Sequence, residues 1–198
     1  MQSIEDRILK SIRANRNASV FSAEHFMGFG SRPAISQSLR RLAKAGKLRR
    51  IRQGLYDLPR EHPILGQTAP DPMGVIKALM EGSNAQWQVS GAYAANLLGI
   101  SEQVPTRIVI LTDGISRQVK LDALTISFRR ASPRNLLGAG KLAGTVIQAL
   151  RHLRKDGVTQ KQICHLNKQL DAKTKKDLIA LCAKLPLWMQ PIVHEIAE

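Results

Sequence analysis

The amino-acid sequence predicts a mainly helical α+β fold divided into two domains. Apolar residues recur at intervals of three and four along most of the chain, which is the spacing of amphipathic helices. Two regions differ: residues 48–58 alternate in polarity, and residues 107–128 contain β-branched runs bounded by proline, aspartate and glycine. Apolar residues make up 43% of the 198, which is enough for hydrophobic cores, and none of their runs approaches the ~18 residues that span a bilayer.

Two helices are predicted before residue 30. The first begins at Ser3-Ile4-Glu5-Asp6, which has the spacing of a helix-capping motif, and ends near Asn15-Arg16-Asn17. Its apolar stripe consists of Ile4, Ile8, Leu9 and Ile12. Ser22 is the predicted N-cap of a short second helix that ends near Met27 and turns Phe26 and Met27 inward.

A third helix is predicted from Ser31 to about Ala45. Ser31 can cap it, Pro33 lies in its first turn where a missing N–H costs nothing, and Gly46 ends it. The apolar positions recur at three and four residues: Ala34, Ile35, Leu39, Leu42 and Ala43. The other faces carry polar and basic residues: Arg32, Ser36, Gln37, Arg40, Arg41 and Lys44.

A short basic hairpin is predicted directly after this helix. Its strands are residues 48–51 and 55–58, joined by a turn at Arg52-Gln53-Gly54. The first strand, the turn and the residue before them carry Lys47, Arg49, Arg50 and Arg52. The predicted core of the whole region consists of Ile8, Ile12, Phe21, Phe26, Ile35, Leu39, Leu42, Leu48, Leu55 and Leu58.

The order helix, helix, helix, hairpin indicates an N-terminal winged helix-turn-helix, a DNA-binding fold. Ser, Gln and Arg side chains on a helix can hydrogen-bond base edges, and a basic hairpin beside that helix can neutralise phosphates. The predicted partner is therefore double-stranded DNA. The predicted DNA-binding residues are Arg32, Ser36, Gln37, Arg40, Arg41, Lys44, Lys47, Arg49, Arg50, Arg52 and Gln53.

The charge of the chain favours a polyanionic partner. Lys and Arg total 30 against 15 Asp and Glu, a net charge of +15. Residues 1–60 hold 13 basic and 4 acidic residues, or +9, which leaves +6 for residues 61–198. Such a field attracts nucleic acids in a salt-dependent manner. Two alternatives stay open, a solvated basic face without a partner and a module that binds double-stranded RNA by its shape.

The sequence after the hairpin predicts a proline-rich linker over residues 61–72. This linker would separate a DNA-binding domain, residues 1–60, from a second domain, residues 73–198. The second domain starts with a helix at Met73, followed by a small-residue helix at Ser90–Gly99. Strands at 107–112, 119–121 and 124–128 predict a small antiparallel sheet. A helical tail follows, with one helix carrying Leu142, Val146 and Leu150 and two more opening at Thr159 and at Thr174.

Motifs for catalysis and cofactor binding are missing from the sequence. Ser90 lies outside a G-x-S-x-G motif, and the glycines at 138–144 match no phosphate-binding pattern. The histidines are scattered, and Cys164 and Cys182 are predicted core thiols. We therefore expect no catalytic residue, metal or cofactor. The acidic N-terminus is unlike a signal peptide, so a cytoplasmic location with no membrane partner is expected.

Several segments together resemble the AbiEi-like family, the antitoxins and transcriptional regulators of type IV toxin-antitoxin systems. The similar segments are Ser31–Leu42, Gly46–Tyr56, Val89–Ile100, Gln103–Pro105 and Leu111–Gly114. Many winged-helix regulators share a Gly-x-Tyr hairpin. The Ser-Gly-x-x-Ala-x-Asn-x-Leu-Gly pattern at Ser90–Gly99 makes the resemblance more specific. It covers most of residues 1–130, and the residues beyond contain no motif that aligns.

The resemblance implies an autoregulator with two functions. Its winged helix would repress its own operon at a promoter carrying inverted repeats, and its C-terminal domain would counteract a nucleotidyltransferase-type toxin, without necessarily forming a stable complex with it. A stand-alone winged-helix repressor is the alternative among DNA-binding proteins.

Overall fold

Helices account for most of the described structure, and short strands form three small sheets among the described residues. The computed structural model describes residues 3–14, 19–59, 61–63, 66–103, 105–121 and 124–198. The chain divides into two compact units, Met1–Asn84 and Ala85–Glu198. The predicted mixed α+β character is therefore confirmed.

The first unit has four helical segments and two sheets in its described part. The helices are α1 (Ile4–Ala14), a 3-10 helix (Glu24–Phe29), α2 (Arg32–Lys44) and α3 (Pro72–Met80). Strands β1 (Val20–Phe21), β2 (Arg49–Arg52) and β3 (Leu55–Asp57) form an antiparallel sheet in the order β1-β3-β2. Strands β4 (Glu61–His62) and β5 (Gly66–Gln67) form a separate pair.

Helix α1 begins as the capping motif predicts. The Ser3 hydroxyl accepts a hydrogen bond from the Asp6 N–H at 3.1 Å, which satisfies one free donor of the first turn. Ile8 and Ile12 of its stripe are buried. The predicted end of this helix at residues 15–17 lies outside the described residues.

One hydrophobic core holds α1, α2, the 3-10 helix and the hairpin together. Its buried members are Ile8, Ile12, Phe21, Phe26, Ile35, Leu39, Leu42, Leu48 and Tyr56. The prediction is wrong for Leu58, which is 45% exposed, because β3 and its described pairing with β1 and β2 end at Asp57. Met27 is also exposed, and the Ser22 hydroxyl donates to Glu81 Oε2 at 2.9 Å instead of capping the 3-10 helix.

Helix α3 belongs to the first unit, although the sequence assigned it to the second domain. Asp71 caps it by accepting hydrogen bonds from Met73 N at 3.2 Å and Gly74 N at 2.8 Å. Asp71 Oδ2 also accepts from Ser19 Oγ at 3.1 Å, so the cap is tied to the segment before β1. The proline-rich stretch thus returns the chain to its own unit, and the division falls after Asn84 rather than at residues 61–72.

The second unit combines one four-stranded sheet with a helix between the first two strands and further helices after the last. Its strands are β6 (Trp87–Ser90), β7 (Arg107–Thr112), β8 (Arg117–Leu121) and β9 (Leu124–Arg130). Its helices are α4 (Gly91–Leu97), α5 (Leu142–Leu153), α6 (Gln160–Gln169), α7 (Ala172–Cys182) and α8 (Gln190–Ala197). Short 3-10 segments lie at Pro133–Leu136, Lys155–Gly157 and Leu187–Met189.

The sheet of the second unit is mixed rather than purely antiparallel. Its order is β6-β7-β9-β8, so β9 lies between β7 and β8. It pairs in parallel with β7, Ile108 opposite Ile126 and Ile110 opposite Phe128, and antiparallel with β8. The alternation of apolar residues fixes which side chains share a face, but it is the same for either strand direction.

The helical tail agrees in part with the prediction from the sequence. Thr159 and Gln162 form the predicted capping box at the start of α6. Helix α7 begins earlier than predicted, because the Asp171 side chain caps it and leaves Thr174 buried inside its first turn. Cys182 is buried as predicted, but the prediction is wrong for Cys164, which is exposed.

Candidate nucleic-acid interface

Helix α2 has well-defined ends that direct the chain into the hairpin. Ser31 is the N-cap residue, in an extended conformation, but its side chain makes no capping hydrogen bond. Pro33 lies in the first turn. At the other end Gly46 adopts a φ of +69°, a left-handed conformation that favours glycine. The N–H groups of Gly46 and Lys47 then bond the carbonyls of Ala43 at 3.1 Å and Leu42 at 2.9 Å. The helix therefore ends in a Schellman motif, and the chain reverses directly into the hairpin.

The two faces of α2 differ sharply in polarity. Ile35, Leu39 and Leu42 are buried in the core. Because successive residues are about 100° apart around a helix, Gln37 and the two cations Arg40 and Lys44 lie on the opposite face, and all three are exposed. This face contains no carboxylate.

The arginines at the flanks of α2 are paired with carboxylates of neighbouring helices. Arg32 Nη2 lies 2.8 Å from Glu24 Oε1, and Arg41 Nη1 lies 3.6 Å from Glu5 Oε1. Both arginine side chains are about two-thirds exposed, 67% and 65%, so these pairs contribute at most about 1 kcal/mol each. A phosphate can displace such weak partners. Ser36 is half-buried and lies on the same flank of the helix as Arg32.

A residue that the sequence analysis missed orients the entry to α2. Arg7 on α1 donates to the carbonyls of Phe29 at 3.1 Å and Gly28 at 3.4 Å. Its guanidinium also stacks over the Phe29 ring, 4.6 Å from the centroid. These contacts fix the segment just before Ser31. Nothing in the local pattern of α1 indicated them, because the partners are main-chain carbonyls 21 and 22 residues away.

The hairpin places the neighbouring residues Arg49 and Arg50 on opposite faces of its sheet. Residues directly opposite in an antiparallel pair share a face. Arg50 lies opposite Tyr56, which lies opposite Phe21, and both aromatic rings belong to the core beneath α2. Arg50 therefore extends along the α2 side of the hairpin into solvent. Gly54 at the turn has a φ of +80°, which lets the chain reverse.

Arg49 lies on the other face and is already bound within the protein. Its Nε and Nη2 donate to the two carboxylate oxygens of Asp57 at 3.0 and 2.5 Å, and its Nη1 donates to the Thr68 carbonyl at 2.9 Å. Asp57 is only 3% exposed. Unlike the other predicted DNA-binding residues of the hairpin, Arg49 is thus engaged in a partly buried ion pair. Asp57 is the signal that sequence reasoning missed, since it lies opposite Arg49 across the hairpin.

An exposed basic surface remains on α2 and the hairpin. Its cations make no ion pair with any described residue. We define the basic surface as Gln37, Arg40, Lys44, Lys47, Arg50, Arg52 and Gln53, all of them exposed. Among the side chains that the structure describes nearby, Asp57 is bound to Arg49, and Glu24 and Glu5 are paired with the flanking arginines. The arrangement can therefore bind an extended polyanion without first breaking strong internal contacts.

The described residues offer no comparable site for metals or membranes. They contain no cluster of three or more His, Cys, Asp or Glu side chains arranged to hold a metal ion. None of their helices is long and apolar enough to cross a membrane.

The glycine-rich turn before α5 is packed on itself, because a Cβ at Gly144 would lie 2.2 Å from the Gly138 carbonyl oxygen.

Comparison with known families assigns this chain to a family. A family model matches residues 7–178, most of its length. The chain belongs to DUF6088, a family of unknown function. Among solved structures, this DUF6088 chain is similar to the crystal structure of RV2827C protein from Mycobacterium tuberculosis, at 18% identity and a TM-score of 0.44. That similarity covers 98% of this chain and 76% of the other. Comparison with curated proteins gave no match.

Proposed function

We propose that this DUF6088 chain is a DNA-binding transcriptional regulator whose first unit contains a winged helix-turn-helix. In this proposal α2 is the recognition helix and the β2–β3 hairpin is the wing. The observation that supports it is the basic surface, where exposed cations that form no ion pair with a described residue lie on one helix face and along the adjoining hairpin. Helix α2 has 13 residues, or about 20 Å of length, and the major groove of B-DNA admits a helix of this kind.

The residues of the basic surface take different parts in binding. Gln37 and Arg40 lie on the exposed face of α2 and have side chains that can hydrogen-bond purine edges in the major groove. Lys44 and Lys47 at the end of the helix contact phosphate. Arg50 and Arg52 on the wing contact phosphate of the adjacent backbone or enter the neighbouring minor groove.

Arg32, Ser36 and Arg41 lie at the margin of this surface. Their exposed or half-buried positions allow contacts to phosphate when DNA binds. Phosphate then replaces Glu24 as the partner of Arg32 and Glu5 as the partner of Arg41. Arg49 is assigned a different part, because its guanidinium is held by Asp57 and Thr68. It fixes the base of the wing instead of contacting the DNA.

The resemblance to AbiEi-like antitoxins extends the proposal to the second unit. Its Ser90–Gly99 segment forms the N-cap, helix α4 and the closing glycine, whose φ is +67°. The second unit has a buried core of its own, including Ile110, Ile126 and Ile147. We assign it the antitoxin activity against a nucleotidyltransferase-type toxin encoded beside it, and we assign the first unit repression of the shared promoter. Both activities place the protein in the cytoplasm.

The test is the salt dependence of binding to DNA from upstream of the chain's own gene. Fluorescence anisotropy of a labelled duplex gives the affinity at several salt concentrations. The variant Arg50→Ala/Arg52→Ala should bind more weakly at every sequence, and the slope of log affinity against log salt should fall by about two units, one for each phosphate contact.

The matched control removes the same charge from the second unit. Lys173 and Lys176 are exposed on α7, so Lys173→Ala/Lys176→Ala should keep the slope within about half a unit of the wild type. A duplex RNA of the same sequence provides the third arm. Equal slopes for the two variants would exclude the wing from the interface, and a preference for the RNA would replace DNA regulation with RNA binding.

A further inference from the structure

A second cluster of cations lies in the second unit, where β9 leads into α5. Arg134 belongs to the 3-10 segment Pro133–Leu136, and Arg151 lies in the last turn of α5. Arg151 Nη2 donates to the main-chain carbonyl of Arg134 at 3.2 Å. The two residues are therefore held side by side, and Arg134 keeps an exposed side chain.

The position of Arg151 is fixed by a buried polar network. Its Nη1 donates to Asn135 Oδ1. The main-chain carbonyl of Asn135 in turn accepts from Gln88 Nε2 at 2.6 Å and from Gln148 Nε2 at 2.9 Å. Gln88 and Gln148 are 4% and 3% exposed. A guanidinium anchored through buried amides is preorganised, so it loses little conformational freedom when a ligand binds.

This cluster has no counter-ion among the described residues. Neither Arg134 nor Arg151 takes part in an ion pair there, and the Arg151 Nε–H is buried without a hydrogen-bond acceptor. Burial, followed by the charge of Arg134, lowers the pKa of Arg151. A half-buried cation beside a like charge is unfavourable unless an anion compensates it.

We propose that Arg134 and Arg151 form a binding site for a phosphate group. The exposed Arg134 guanidinium and the remaining Nη hydrogens of Arg151 can donate to a tetrahedral dianion, and two positive charges match phosphate better than a singly charged carboxylate. The phosphate is either free inorganic phosphate or the terminal group of a small phosphomonoester such as a nucleotide. All residues of the site belong to the second unit.

The test follows the Arg151 Nε–H signal in nitrogen-15 NMR spectra of the full chain. Inorganic phosphate and adenosine 5′-monophosphate are titrated separately at constant ionic strength, with sodium acetate as the carboxylate comparison. We expect a saturable shift with phosphate, with the monophosphate or with both. Tighter binding of the nucleotide assigns the ligand as a nucleotide, and equal affinity assigns the phosphate group alone.

Three variants distinguish phosphate binding at this site from a general effect of the positive charge of the chain. Arg151→Gln and Arg134→Gln should each weaken phosphate binding about tenfold or more, because each removes a positive charge and its charge-assisted hydrogen bonds. The binding of these variants is read by calorimetry, and far-ultraviolet circular dichroism checks the fold. Arg134→Gln leaves the described network intact, since that residue contributes only its main-chain carbonyl to it. Lys173→Gln on α7 removes one exposed charge elsewhere and should bind as the wild type does.

Several outcomes would overturn the proposal. Absence of saturation with both phosphates would do so, as would equal binding of acetate. Undiminished phosphate binding by folded Arg134→Gln and Arg151→Gln would also place the phosphate elsewhere. A shift of Arg151 Nε–H with duplex DNA but not with either small phosphate would replace the phosphate site by a nucleic-acid contact.

Discussion

Two neighbouring arginines of the hairpin have opposite environments. Arg49 is bound to a buried carboxylate on one face of the sheet, whereas Arg50 extends into solvent along the other. The alternation of a strand accounts for this difference. Sequence reasoning grouped the two because the charge run alone gives no indication of which face has a carboxylate beneath it.

The first prediction concerns the stability of the first unit. Arg49→Ala removes the partner of Asp57, which is 3% exposed, and leaves a nearly buried carboxylate uncompensated. We expect a loss of about 2–4 kcal/mol of unfolding free energy, measured by urea denaturation, because Arg49 is itself partly exposed and water relieves some of the penalty. Arg50→Ala is the control and should change stability by less than about 0.5 kcal/mol. Similar losses in both variants would contradict the assigned positions.

The second prediction concerns the reading of bases by α2. Gln37 lies at the centre of the exposed face of the helix, one turn before Arg40. Gln37→Ala should reduce discrimination by about 1–3 kcal/mol at one or two positions of the operator, because an amide can form paired hydrogen bonds with adenine. Competition with operators changed one base pair at a time measures this. Gln118→Ala, at an exposed glutamine of the second unit, should leave every preference unchanged. An identical base profile for Gln37→Ala would remove this side chain from the readout.

At the scale of elements, local signals predicted helix ends better than strand partners. Pro33, Gly46 and the Thr159 capping box act within one or two turns, so the residues that decide these helix ends are visible in the sequence. The neighbours of β9 depend on residues far apart in the chain. Strand β6 was missed because its four residues lead directly into α4 and are too short to show a period.

The third prediction concerns the cap of α7. Hydrogen bonds from the side chain and then the main-chain N–H of Thr174 hold the pKa of Asp171 below its ordinary value of 3.8. Since the folded-state pKa is depressed, the stabilisation is complete above the unfolded pKa and is lost as the pH falls through the folded one. Asp171→Asn retains an acceptor for the Thr174 N–H but cannot titrate.

The measurement is thermal unfolding between pH ~6 and pH ~2, a range that begins above the ordinary pKa of an aspartate and ends well below it. The difference in melting temperature between wild type and Asp171→Asn should shrink as the pH falls, because only the wild type loses a charged cap. Asp156→Asn, at an exposed aspartate in the 3-10 segment after α5, is the control for general acid effects. A constant difference across this range would show that the charge of Asp171 does not stabilise the fold.

At the scale of the whole molecule, the position of the division changes how the charge is distributed. With the boundary after Asn84, the first unit holds 14 Lys and Arg against 7 Asp and Glu, and the second holds 16 against 8, giving +7 and +8. Basic character is therefore shared by both units. The excess that sequence analysis found in residues 1–60 arose because Glu61, Asp71 and Glu81 lay beyond the boundary it drew.

The fourth prediction is that the two activities separate at the observed boundary. Because α3 belongs to the first unit and buries Val75 and Ile76, a fragment of residues 1–84 should fold and bind the upstream DNA, whereas residues 1–60 alone should be unstable. A fragment of residues 85–198 should protect cells from the neighbouring toxin without repressing the promoter. Growth and promoter activity are scored separately during co-expression with that toxin.

The full-length variant Arg50→Ala/Arg52→Ala is the control for this separation, since it should lose repression and keep protection. Soluble expression of both fragments is verified first. Protection by residues 1–84, and none by a soluble fragment of residues 85–198, would reverse the assignment of activities to the two units.

The central claim is that α2 and the hairpin form the surface that binds duplex DNA. The most direct measurement is a titration of the isotope-labelled full chain with the upstream duplex, followed residue by residue by NMR. The account predicts the largest changes at Gln37, Arg40 and Lys44 on α2 and at Arg50 and Arg52 on the hairpin, while the Arg49 Nε–H stays in its bond to Asp57. Changes confined to residues 85–198, or none at saturating DNA, would contradict it.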